Sequence, residues 1–499
     1  MKKYSLILLL VLSAVGCKKS VLELAPISQA SANTFYKTSG DMVIAVNAGY
    51  AALQNQAAAG TEFMFGDLPT DDAIAVPSLY GQGHGDFDNY TSKSLGTNAN
   101  NINARYQAAY IGITRVNVIL NRIDGVTFTD AALKKRLVAE SKFLRAYFYF
   151  NLVKVFGGVP LILKELATPD EAFTYGRTTA AAVYAQIQQD FTEAAADLPA
   201  SYAGTDIGRA TSGAAKGMLA RVLLFQKKYT EALPLLQAVI AQSPAVYDLL
   251  PNYADVFKNA NGNNKEILFA VQFTASTIAN GEGNSVVGSF NPTVVIPGVV
   301  AFTGTNADQP TADLYNAYSS GDARRDINIQ YVTIAGVPTP WVSKYNTPSI
   351  AVGPENGTDY PVLRYADILL MYAECLNETG STPAALPYIN KVIDRAYGNT
   401  SHELQMTNPL ITSTYIANQA ALRDRIVLER RLELAFEGLR FFDLVRTDLL
   451  VPVMNAYFIT NHILVSGAVI TISNNNKLFP IPQGQIDINP TKITQNPGY

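Results

Sequence analysis

The densest group of potentially reactive side chains runs from Arg423 to Arg446. Glu429, Glu433 and Glu437 recur there every fourth residue, with Arg425, Arg430, Arg431 and Arg440 beside them. Two carboxyls are the equipment of a glycosidase, one as general acid and one as nucleophile or base. Residues four apart on a helix, however, stand one turn apart on a single face. Guanidinium charges beside them depress a carboxyl pKa, whereas a general acid needs a raised one. The cluster therefore reads as ion pairs that hold helices together.

The remaining chemical motifs are incomplete. Tyr80-Gly81-Gln82-Gly83-His84-Gly85 carries alternating glycines, but no strand leads in and no helix opening on Lys-Ser or Lys-Thr follows, so it reads as a loop rather than a phosphate cradle. Asp86 and Asp88 supply two positions of a calcium loop and lack the rest. His84, His402 and His462 are widely scattered, and no G-x-S-x-G, H-E-x-x-H or C-x-x-C occurs. The sequence predicts no catalytic residue, no metal and no cofactor. The formal net charge of −3 carries no electrostatic signature for nucleic acid.

What the chain does offer is recognition chemistry. Charged residues make up 16% of it, while 27 Tyr and 22 Phe bring large amphipathic or apolar rings. Sugars are held by aromatic faces against their C–H surfaces, with amides, carboxylates and similar groups on the hydroxyls. Tyr80, His84, Asp86, Phe87, Tyr90 and Asn98 fall in one loop-like stretch. Phe290, Asn291, Phe302, Trp341 and Tyr345 fall in a second. Trp341, the single tryptophan, is either an exposed platform or a ring that packs its segment onto the helices.

These stretches interrupt a helical scaffold. Apolar residues at three- and four-residue spacing predict helices over 102–123, 133–156 and 179–198. Two hairpins follow, 214–225 with 230–241 and 369–377 with 383–396. Aligned on Ala220 and Ala373, Leu223 matches Leu376, Ala232 matches Ala385, Leu236 matches Ile389 and Val239 matches Val392. Small residues twelve apart, then larger apolar ones, are the tetratricopeptide arrangement, in which small side chains let paired helices approach closely. The expected fold is thus dominated by α-helical repeats, with long irregular insertions near 66–101, 261–361 and 454–499.

The N-terminus predicts export. Lys2 and Lys3 precede an apolar run from Leu6 to Leu12, shorter than the roughly 20 residues that span a bilayer. It reads as a signal peptide over 1–16, leaving one domain over 17–499. Cys17 follows Ala14-Val15-Gly16, resembling a bacterial lipobox, which makes Cys17 the expected acylation site. The other cysteine, Cys375, sits in a helical pattern, so a lipid-bearing Cys17 leaves no disulfide.

Five blocks, in order, resemble the SusD/RagB family. Leu24-Ala25-Pro26 with Phe35 resembles its opening. Ala139 to Tyr149 followed by Phe156-Gly157-Gly158-Val159-Pro160-Leu161 resembles its most recognisable helix and turn. Tyr365 to Glu374, Glu429 to Leu444, and Phe479-Pro480-Ile481-Pro482 with the terminal Gln495-Asn496-Pro497-Gly498-Tyr499 complete the set. The resemblance implies about four tetratricopeptide-like helix pairs with loops on one side. It also implies a lipid-anchored outer-membrane protein, facing the cell surface, that captures oligosaccharide for a SusC-like TonB-dependent transporter. In that family the ligand face receives residues from the loop before the helix at 106–123. Capture of a peptide or another non-sugar nutrient, a scaffold binding only protein, and a hydrolase with an unfamiliar site remain as alternatives. The lipobox reading predicts that Cys17→Ala releases the protein from membranes and abolishes palmitate labelling; undiminished labelling and retention would refute it.

Overall fold

The computed structural model describes residues 35–55, 62–75, 82–90, 99–275, 283–300, 302–346, 356–406 and 414–499. Cys17 and the Leu24-Ala25-Pro26 block lie outside them, as do Tyr80 and Asn98.

Helices dominate. In chain order the helices of the scaffold are α1 (Ser39–Ala51), α2 (Ala99–Arg122), α3 (Ala131–Phe156), α4 (Ala180–Asp197), α5 (Ser212–Phe225) and α6 (Tyr229–Ile240), then α7 (Tyr365–Glu378), α8 (Thr382–Tyr397), α9 (Gln419–Glu433), α10 (Arg440–Arg446) and α11 (Leu450–Thr460), with shorter ones between them. Local chemistry sets their starts. Asp130 accepts from the Ala132 and Leu133 amides, Thr179 from Ala182, Thr211 from Ala214 and Asn418 from Ala421. Gly157, at φ 71°, stops α3, a conformation that costs glycine little.

Helices adjacent in the chain pack side by side: α2 on α3, α3 on α4, α4 on α5, α5 on α6, α6 on α7 and α7 on α8, with α9 against α7 and α8. Ala220, Ala232, Ala373 and Ala385 are all fully buried, as the repeat alignment requires. Close approach is also forced elsewhere: a Cβ at Gly112 on α2 would stand 2.3 Å from the Phe148 ring on α3. From Ala139 to Phe156, α3 is buried on nearly every side, with Arg145 reaching both Asp190 carboxylate oxygens on α4 at 2.8 Å.

Short strands organise the middle insertion. β1 (Ile267–Val271) pairs antiparallel with β4 (Tyr360–Arg364), and β4 runs directly into α7. The chain between them is an excursion whose two ends meet on the scaffold. Inside it, β2 (Ile329–Ile334) and β3 (Val337–Val342) form a hairpin. Its two-residue turn, Ala335-Gly336, has both residues at positive φ, as the twist of such hairpins favours. Ala73-Ile74 pairs with Pro310-Gln309, tying the first insertion to the second. All three stretches expected to be irregular contain helix: Gln82–Asp88 in the first, Val286–Phe290, Ala312–Ala317 and Arg324–Asn328 in the middle one, and α11 and Gln483–Ile488 in the C-terminal one.

Ala373→Leu should overpack the α7 contacts and lower stability by roughly 1–3 kcal/mol. An unchanged thermal melt would contradict the repeat alignment.

Candidate functional site

The glutamate row 429–433–437 lies inside the protein. Glu429, Glu433 and Glu437 are buried at the end of α9 and in the turn before α10. Arg324 reaches Glu433 at 3.1 Å, pairs with Glu429, and donates twice to Asp322 at 2.9 and 2.7 Å. Arg364 binds Glu266 at 2.6 Å, Glu433 at 3.1 Å and Glu437 at 2.7 Å. Arg395 joins Glu266 to Glu433, at 3.0 and 2.6 Å, and Lys344 binds Glu437 at 2.6 Å. Burial pushes the Glu433 carboxyl up, but Arg395, Arg364 and Arg324 outweigh it and hold it at about 2. Burial likewise raises Glu437, and Arg364 and Lys344 bring it below the usual range. Neither group can serve as a general acid near neutrality.

A second cluster uses the rest of the motif. Arg430 bridges Asp367 and Asp443, and Arg446 pairs with Glu374 and Asp443. Arg431 and Arg440 hold Asp71 and Asp72 of the first insertion. At the same junction the Gly438 amide donates to Asp67, and a Cβ on Gly66 would stand 2.1 Å from the Gly438 carbonyl oxygen. The arginine-rich segment thus clamps both insertions to the scaffold.

The two insertions meet, as the paired strands at Ala73 and Pro310 require. Yet most candidate ligand residues point inward, and the reading of Trp341 as an exposed platform does not hold. Trp341 is 0% exposed, at the core end of β3. Phe290 stacks on Tyr345 at 5.6 Å and meets Phe63 edge-on at 5.7 Å. Phe87 packs between Phe65 and Phe479, and Tyr90 lies against Phe458 with its hydroxyl donating to the Pro69 carbonyl. Asp86 and Asn291 are buried as well. The reason is common to the rings: on a segment that docks onto helices they gain more by filling the seam than by facing water. Phe302 is half-buried, and His84 belongs to the helix Gln82–Asp88.

The open aromatic surface of the middle insertion is elsewhere. Tyr331 on β2 is 48% exposed and meets the half-buried Tyr315 edge-on at 5.4 Å; Arg325 lies 5.1 Å over the Tyr315 ring. Sequence reasoning missed both tyrosines. The available signal was the β-branched run 329–334, then Ala-Gly, then a second strand-like run, which is a hairpin pattern. A buried acidic group was missed too. Asp308, beside the strand pair, has both carboxylate oxygens buried without a hydrogen-bond partner among the described residues. Burial, then Asp72 and Asp88, push it well above the carboxylate range, and burial raises Asp88 to about 7.

Residues 335–499 match the model described as SusD family, and residues 31–224 the one described as starch-binding associating with outer membrane. The SusD-like protein P2 of Formosa agariphila is 27% identical over the full length of both chains. A SusD homolog from Bacteroides thetaiotaomicron superposes with TM-score 0.80 at 23% identity, covering 95% of this chain and 99% of the other. A structure named as a laminarin binding SusD-like protein superposes at 0.72 and 27% identity, covering 93% and 100%.

Glu433→Gln should cost about 3–5 kcal/mol, because three guanidinium groups lose a buried counter-charge. Since the folded pKa lies below the ordinary 4.5, the wild-type contribution is present above that value. It disappears as pH falls from there toward about 2. Chemical denaturation at pH 7 and at pH 3 checks this: the variant's deficit should shrink at the lower pH, and an equal deficit at both would refute it.

Proposed function

The chain belongs to the SusD/RagB family, and on that premise we propose that it is a non-catalytic glycan-binding protein of an outer membrane. It captures oligosaccharide and passes it to a SusC-like TonB-dependent transporter, held to the membrane by lipid on Cys17 and facing the cell surface. The observation that carries the reading is the near full-length likeness, at 27% identity, to the laminarin binding SusD-like protein. Support comes from the family description that couples starch binding to the outer membrane. The charged helix also supports it, because its carboxyls are engaged in buried pairs rather than presented to a substrate.

We assign recognition to the insertion side. Of the rings named above, Tyr331 offers an open face, with Tyr315 behind it and the Arg325 guanidinium alongside. A tyrosine face can stack on a sugar while nearby donors reach hydroxyls, the usual division of labour in a carbohydrate site.

Affinity electrophoresis through gels containing laminarin or soluble starch tests this reading. The wild type should be retarded by a neutral polysaccharide, and Tyr331→Ala should bind it several-fold more weakly, since a stacked ring contributes about 1 kcal/mol. The melting temperature should barely move, because Tyr331 is half open to solvent. Absence of retardation by every neutral polysaccharide tried would sink the glycan reading, and shortening of the polysaccharide would sink its non-catalytic part.

A further inference from the structure

A second surface has the composition of a sugar site and lies away from the insertions. It is a groove of about 210 Å³ between α2, the 160–175 loop and the C-terminal segment. Phe173, Tyr175 and the partly buried Tyr110 supply its rings, with the buried Tyr106 behind Tyr110, and Gln107 and Gln485 supply its amides. No charged side chain lines it among the described residues, although charged residues make up 16% of the chain. Tyr106 and Tyr110 come from successive turns of α2, with ring centroids 4.9 Å apart. Phe173 stands 49% exposed at the rim.

The groove is held in shape by bonds from side chains to backbone. Asn489 donates to the Phe173 and Tyr175 carbonyls at 2.7 and 3.3 Å. Tyr110 donates to the Pro160 carbonyl at 2.7 Å. Arg177 ties the loop to the C-terminal segment, donating at 2.8 Å to the Gly158 carbonyl, the Thr494 carbonyl and the Asn496 side chain. Walls fixed before a ligand arrives need little ordering on binding.

We propose that this groove is a second saccharide-binding site, taking a neutral sugar ring or chain end; the proposal rests on the glycan reading above. The physical argument is complementarity. An anionic ligand would find no counter-charge in the lining, the nearby Arg177 guanidinium being engaged by the Gly158, Thr494 and Asn496 oxygens, and a purely apolar one would leave the Gln107 and Gln485 amides desolvated without partners. Rings flanked by primary amides match a ligand with C–H faces and uncharged hydroxyls. The volume lies below the range of a drug-sized pocket, which suits one ring rather than a long chain. The C-terminal segment connects the two regions: Phe479 packs against Phe87 beneath the insertions, and the same segment goes on to form one wall of the groove.

Phe173→Ala, Gln107→Ala and Tyr331→Ala in the full chain separate the two sites, read by affinity electrophoresis in laminarin and in soluble starch. Both groove substitutions sit on exposed side chains, so melting temperatures should match the wild type. Each should weaken retention by about threefold to tenfold, with little change between about 0.1 and 1 M salt, as expected for an uncharged ligand. Wild-type retention in both groove variants, together with loss in Tyr331→Ala, would overturn the groove and leave the glycan reading standing. Loss in the groove variants alone would support the groove and overturn the assignment to the insertions. A folded wild type that binds neither polysaccharide would remove both.

Discussion

The buried ion network centred on Glu433 is the constraint on which the architecture turns. Five carboxylates (Glu266, Asp322, Glu429, Glu433 and Glu437) face five cations (Arg324, Lys344, Arg364, Arg395 and Arg425) in the interior. Desolvating any one of these charges alone would cost several kcal/mol, so the members are stable only as a set. They come from β1's entry, the middle insertion, the end of β4, α8, α9 and the turn before α10. A misplacement of any of these elements strands a charge, which makes the network a strong selector of one register among the helices and loops.

That selection matters because the helical array and the insertions have different reasons to be ordered. The helices bury apolar faces against neighbours close in sequence, and α3 is surrounded by α1, α2 and α4. The insertions have no such periodic face. They are fastened by a few specific contacts: the arginine pairs to Asp71 and Asp72, the Gly66–Gly438 approach, the Ala73–Pro310 strand pair and the aromatic seam around Phe290 and Tyr345. Exposed positions on insertions mounted this way can vary without disturbing the repeats beneath. The Asp308 carboxyl at the strand junction, without a hydrogen-bond partner among the described residues, is the exception, a buried acid favoured in its neutral form by its surroundings.

The separation of these roles explains why so few side chains look catalytic. Arginine beside glutamate at helical spacing resembles an active site when read along the chain, yet most partners of the glutamate row come from elements far away in sequence. Arg364 and Glu437, for example, are 73 residues apart. The same is true of the aromatic inventory: rings on a loop look available until the loop docks.

Much of the scaffold was legible because it depends on local periodicity. The helix limit at Phe156, the end of α4 within one residue of the expected 198, the Ala220 and Ala373 positions and the structural role of the glutamate row all follow from spacing, capping and charge proximity within a few residues. Trp341, Phe87 and Tyr345 were not legible in the same way, since an aromatic residue in a loop has the same sequence whether it faces solvent or fills a seam. Nor was the groove at Tyr106 and Tyr175, whose walls come from α2, the 160–175 loop and the C-terminal segment. Periodic patterns record which face of a helix is buried, because that depends on neighbours three and four residues away. Which loop side chains remain exposed depends on partners hundreds of residues distant, and only the tertiary structure decides it.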